Sequence, residues 1–221
     1  MSTGAEEYYG ARAPEYDRVY EKPERQGDIA TLGSLLARRF AGRDVLDVAA
    51  GTGFWTERFA DGTDHTTGCD INEATLEVAR ARRRWPDHVR FVRGDAFALD
   101  EVPGTFDAAF VGFLWSHVAI DDLDRFLDSL CRRLGPGSTA ILVDNVYVEG
   151  SNHPIARTDE AGNTYQRRRL ADGREWEVRK NFPTPEQVTN RLEAHGSATV
   201  TSLTHFWIAE LQLPERRHDR G

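Results

Sequence analysis

DVLDVAAGTG (44–53) is the stretch that leaves this chain the fewest choices. Its apolar run is too short for a core helix, and it flows directly into Gly51 and Gly53, which let the backbone turn sharply. FWTERFA follows and reads as a helix that stops near Gly62. A strand that passes through a glycine turn into a helix is half of a parallel βαβ unit. The alternation continues with strand signals in HTTGCDI (65–71), VRFVRGD (89–95), TFDAAFVGF (105–113) and STAILVDNVYV (138–148). Helical signals separate them in NEATLEVARARRRW (72–85) and DDLDRFLDSLCRRL (121–134), the latter ended by Gly-Pro-Gly. Five strands alternating with helices predict a doubly wound α/β sheet, with ligands at the carboxyl ends of its strands.

The 221 residues suit one domain with four parts. Residues 1–40 form N-terminal helices, one over 7–20 with Tyr8, Tyr9, Tyr16 and Tyr20 and one from about Asp28 to Phe40. Residues 44–148 form the sheet. Residues 150–182 form an insert whose alternating runs flank Ala171-Asp172-Gly173, a hairpin signal. Residues 183–213 close the chain with a helix capped by Thr184 and an antiparallel pair over 197–213. A net charge of -8 argues against a nucleic-acid partner. No apolar run reaches membrane-spanning length and no secretory signal is legible, so the expected location is cytoplasmic, with Cys69 and Cys131 as buried thiols. No metal-ligand spacing is present, and a homodimer is left open.

The loop nearly completes G-x-G-x-x-G, but Thr56 stands where the third glycine of a dinucleotide site belongs. Asp47 precedes the loop, where its charge would repel a diphosphate and suit a cationic ligand. Asp70, 17 residues beyond Gly53, can accept both hydroxyls of a ribose, and Asp95 can meet an adenine edge. A nicotinamide dehydrogenase is therefore disfavoured.

In these motifs, VLDVAAGTG, GCDIN, VRGDAFAL and FDAAFVGFLWSHV, in that order, the chain resembles the class I S-adenosylmethionine-dependent methyltransferases. The resemblance implies a Rossmann-like seven-stranded sheet, mostly parallel with the last strand antiparallel, and S-adenosylmethionine as cofactor. It implies that Gly51 and Gly53 pack on the methionine and ribose portions, Asp47 favours the ammonium, and Asp70 holds the ribose. Ile71 would pack on adenine, Asp95 and Ala96 would address its amino group, and Phe113 and Leu114 would lie along the methionine. Tyr16, Ala49, Thr52, Trp55 and Phe97 complete the implied cofactor set.

The methyl acceptor is read from charge. Residues 151–185 carry seven basic and five acidic side chains within a strongly acidic chain. On an alternating strand Arg167 and Arg169 share one face and Arg168 takes the other. A hairpin laying some of these over the cofactor would make a cationic lid for an anionic acceptor. EYYGARAPEYD, GTGFWT, LWSHV and RRRLADGREWEVRKNFPTPEQVTNRL are similar to the phosphonate O-methyltransferases of dehydrophos biosynthesis and their actinomycete relatives. That similarity implies that Arg168 and Lys180 grip the acceptor's oxyanions and that an N-terminal tyrosine closes over the site. His117, after the fourth strand, is the candidate base, ahead of His153 and His205. The expected activity is methyl transfer to a small molecule in specialised metabolism, with carboxylate, phosphonate, phenol and amine acceptors all open. A protein-directed enzyme and a non-catalytic S-adenosylmethionine binder are the alternatives.

Overall fold

Strict alternation along the central strands decides the architecture. In the computed structural model, which describes residues 10, 13–169 and 173–215, β1 (Asp44–Val48) sends Leu46 and Val48 to one face and Val45 to the other. β4 (Ala108–Gly112) and β5 (Thr139–Asn145) divide their side chains in the same way. Both faces are therefore apolar, and each is covered by helices. α1 (Gln26–Arg39) buries Ile29, Leu32 and Leu36, and α2 (Glu73–Ala81) buries Leu76 and Ala79, on one side. α3 (Leu123–Leu134) contributes Leu123, Phe126, Leu127, Leu130 and Leu134 to the other, joined by Val188 and Leu192 of α4 (Pro185–Leu192). Each helix start has a local cause: Asn72 accepts from Ala74 N at 3.0 Å, and Thr184 with Gln187 closes a capping box.

With β2 (His65–Asp70), β3 (Val89–Arg93), β9 (Ser197–Ser202) and β10 (Phe206–Gln212), the sheet has seven strands ordered β3-β2-β1-β4-β5-β10-β9. Only β10 runs against its neighbours, because the short hairpin from β9 returns it between β5 and β9. The expected topology holds. Strand order reverses between β1 and β4, which opens a crevice at their carboxyl ends.

The insert forms a separate antiparallel sheet of β6 (Arg157–Thr158), β7 (Thr164–Arg169) and β8 (Glu175–Arg179). The turn expected at Ala171-Asp172 lies outside the described residues, as do Tyr8 and Tyr9. Residues 13–20 are a 3-10 helix. The helix expected from FWTERFA is absent: two 3-10 turns, Thr56–Arg58 and Ala60–Gly62, replace it. Thr56 is drawn inward to a buried carboxylate and Phe59 swings to φ -132°, so a regular helix does not propagate. Cys69 is a buried free thiol; Cys131 is free but only half-buried.

Among the described residues, no helix is long and apolar enough to cross a membrane, and no group of His, Cys, Asp or Glu could hold a metal ion.

Candidate active site

Two non-glycine residues take the left-handed conformation, Ala49 at φ 57° after β1 and Phe113 at φ 60° after β4. Both stand at the crevice where strand order reverses, where such backbone strain points to function. They bound a cavity of ≈ 590 Å³ lined also by Tyr16, Gly51, Asp70, Ile71, Asn72, Thr75, Gly112, Leu114 and His117. Asp70 organises its floor: Oδ2 accepts from Gly51 N at 3.0 Å and Oδ1 from Asn72 N at 2.8 Å. Gly51 sits at φ +55°, which explains the glycine, since a Cβ there would meet nothing closer than 3.9 Å.

Asp47, Thr52 and Trp55 line an adjoining recess with Tyr20 and Phe54. Asp47 is almost wholly buried, and its Oδ2 accepts the Thr56 hydroxyl at 2.5 Å. Thr56 therefore does not merely deny a diphosphate its glycine; it steadies the acid beneath the loop. Burial, opposed by that hydrogen bond and reinforced by Asp70, pushes the Asp47 carboxyl up to about 7.

Several expected members stand elsewhere. Gly53 does not line the cavity: a Cβ there would press on Ala79 and Trp85 at 3.3 Å, so its smallness serves packing against α2. Asp95, Ala96 and Phe97 are also outside the lining, because Asp95 turns back to accept from Phe97 N at 2.9 Å.

A second cavity of ≈ 870 Å³ shares Tyr16, Phe113 and His117 with the first and continues to Arg18, Lys22, Arg25, Arg168 and Lys180. The alternation expected of β7 is observed, with Gln166 buried and Arg168 half-buried on one face, and Arg167 and Arg169 on the other. Arg168 donates to Gln166 Oε1 at 2.6 Å, while its buried Nε has no partner. His153 also lines this cavity; His205 instead lies against Asp28 at 3.3 Å.

Two expected roles change. His117 lies 2.7 Å from the Arg179 carbonyl through Nδ1; a carbonyl only accepts, so Nδ1 carries the proton and Nε2 the lone pair. Burial, then the Lys180 charge, push its pKa down to about 3, so the ring is neutral at physiological pH and a weak base. Lys180 is an ion-pair member as well as a cavity wall, 3.0 Å from Asp144 Oδ1.

Sequence reasoning missed Arg25 and Asp144. Arg25 is 5% exposed, donating to Asn145 Oδ1 at 3.1 Å and Ser151 Oγ at 3.1 Å. No local motif marks it. Asp144 did carry a signal, an acid closing an otherwise apolar strand, as Asp47 and Asp70 do.

A family model described as "Methyltransferase domain" matches residues 45–137. The solved structure of DhpI in complex with SAH superposes with a TM-score of 0.78 at 30% identity, covering 98% of this chain and 100% of that one. A DhpI–SAM–HEP complex gives 0.77 at 30% identity, covering 96% and 99%. The chain belongs to the S-adenosylmethionine-dependent methyltransferases. A demethylmenaquinone methyltransferase of Paenarthrobacter aurescens is 30% identical over 154 residues, 65% of this chain and 53% of that protein. The chain spans about half the length of the curated relatives it matches.

S-adenosylmethionine is the cofactor of this methyltransferase. The first cavity fits it: a carboxylate at the end of β2 faces a largely apolar slot, and a buried acid rather than a phosphate cradle lies under the loop.

Proposed function

We propose that this methyltransferase transfers a methyl group to an oxyanion of a small anionic acceptor, a phosphonate or a carboxylate. The observation that carries the reading is the cavity with Lys22, Arg25, Arg168 and Lys180 on its walls, joined to the cofactor cavity at Phe113 and His117. When bound, S-adenosylmethionine supplies an electrophilic methyl carbon, and the acceptor oxygen's new C–O bond leaves the pair of the broken C–S bond on sulfur.

The chain's own residues have three tasks. Asp70 and Gly51 hold the ribose and the loop beside it, with Asp47 toward the ammonium. Arg168, with an uncommitted buried Nε–H, and Arg25 hold the acceptor oxygens. Tyr20, stacked on Phe54 at 3.9 Å and edge-on to Phe113 at 5.9 Å, walls the junction against water. An acceptor that is already ionised needs no base, which agrees with a histidine of pKa about 3. The dehydrophos O-methyltransferase DhpI offers the same reading by likeness. Ring-carbon methylation of the kind named for the curated relatives would call on a base that this pocket lacks in strength.

The test is a panel of alkylphosphonates, carboxylates, amines, phenols and hydroquinones with methyl-labelled cofactor. Turnover is expected with phosphonates or carboxylates, with no kinetic limb near pH 6.5 from His117. Transfer to amine or ring carbon with the anions inert would refute it.

The N-terminal 3-10 helix adds a second prediction. Tyr16 reaches the cofactor cavity, while Asp17 accepts from Thr52 Oγ1 at 2.5 Å and pairs with Arg82. Asp17→Asn is expected to speed cofactor release about fivefold, as the loss of ~1 kcal/mol would, with the melting temperature nearly unchanged. Stopped-flow displacement of bound cofactor measures it.

A further inference from the structure

Lys180 extends from the end of β8 in the insert, and Asp144 belongs to the main sheet, so their contact ties the two sheets together beside the acceptor cavity. Asp144 is fully buried and held rigidly. Its Oδ2 accepts from Ser116 N at 2.8 Å, and its Oδ1 accepts from Asn145 N at 2.7 Å, Asn145 Nδ2 at 3.0 Å and the Lys180 ammonium at 3.0 Å. Lys180 also donates to Ser116 Oγ at 2.6 Å. An ammonium has three donors. Two are committed to this frame, which leaves the third for the cavity that Lys180 lines.

We propose that Asp144 is a positioning residue: it holds the Lys180 ammonium in its charged form and aims its remaining proton at the methyl acceptor. The second half of this statement rests on the acceptor reading above; the first half does not. The charged and titratable groups around Lys180 are Asp144 from β5, Arg168 from β7, Arg25 from the turn before α1 and His117 from the turn after β4. Both guanidiniums disfavour a second cation there, and burial does so more strongly; Asp144 opposes them. Take away the carboxylate and the ammonium sheds its proton at lower pH.

Lys22 and Lys180 are the only lysines in the chain. Full-length protein labelled with 13C at lysine Cε therefore gives two titrating signals, assigned with Lys22→Arg. Asp144→Asn is expected to lower the Lys180 midpoint by at least about one pH unit, the small end of what a charge at this range does, and to leave Lys22 nearly in place. With an anionic acceptor, the alkaline limb of kcat/KM is expected to move toward acid by the same amount. KM at pH 8 rises about tenfold or more and recovers at lower pH, a pattern that a merely structural defect does not produce.

An unmoved Lys180 midpoint in Asp144→Asn overturns the proposal. A midpoint that moves without the kinetic limb following overturns the aiming of Lys180. If Asp144→Asn does not fold, the double variant Asp144→Asn/Lys180→Met decides. Folding of the double variant shows that the unpaired ammonium was at fault and supports the pairing, whereas its failure assigns Asp144 a role independent of Lys180 and overturns it. If no anionic acceptor is turned over while the midpoint moves as expected, the O-methylation reading and the aiming of Lys180 fall, and Asp144's hold on the charge stands.

Discussion

Asp70→Ala is expected to weaken S-adenosylmethionine binding by a factor of ~100 to 10,000, measured by titration calorimetry. The carboxylate already accepts Gly51 N and Asn72 N, which places its oxygens in the cavity at a fixed angle. Two further hydrogen bonds from ribose hydroxyls to a charged acceptor contribute about 1.5–3 kcal/mol each, and tenfold in affinity corresponds to about 1.4 kcal/mol. Asp70→Asn separates charge from shape, since its amide nitrogen cannot accept; an intermediate loss is expected. The demethylated product carries the same ribose and should suffer equally. Unchanged affinity in Asp70→Ala would remove this residue from the cofactor site.

The second large effect is a trade between stability and binding at Asp47. Its carboxyl titrates at about 7 in the folded chain because burial disfavours the charge, against 3.8 when exposed. Between those values the folded state holds a proton that the unfolded state has released. Stability therefore declines as pH rises from about 4 to 7, by up to about 4 kcal/mol. Asp47→Asn carries no charge and retains an acceptor for the Thr56 hydroxyl. It is expected to melt at least about 5 °C above the parent at pH 8 and close to it at pH 4. Binding runs the other way. The parent's affinity for S-adenosylmethionine is expected to climb as pH passes through 7, when a negative charge appears beneath the loop. The variant is expected to bind about tenfold more weakly at pH 8, with no such climb. Scanning fluorimetry and calorimetry across this range give both readouts; a variant less stable than its parent at pH 8 would contradict the account.

The cofactor half of the site was largely readable along the chain, because its members lie within a few residues of strand ends. Asp47, Gly51 and Asp70 end or follow β1 and β2, where alternation and glycine spacing mark the spot. The reading went astray where side chains chose between partners at equal distance in sequence. Asp95 satisfies its own turn, Gly53 makes room for Trp85, and Thr56 turns inward to Asp47 instead of continuing a helix. Each choice depends on what packs opposite.

The acceptor half was legible only as an excess of arginine in the insert. Arg168 did fall on the inward face, as strand alternation requires, yet its neighbours there come from far away. Arg25 meets Asn145 across 120 positions, and Lys180 meets Asp144 across 36.

Period and turn chemistry are local, so the sequence alone determined the alternating strands, the crevice at their carboxyl ends and an acid-floored loop unsuited to a diphosphate. Burial and distant charge are not local. Only the tertiary structure decided that Lys180 is bound to Asp144, that His117 stays neutral, and that a buried Arg25 faces the acceptor. A side chain's charge state depends on the solvent it loses and the ions it meets, and folding alone sets both.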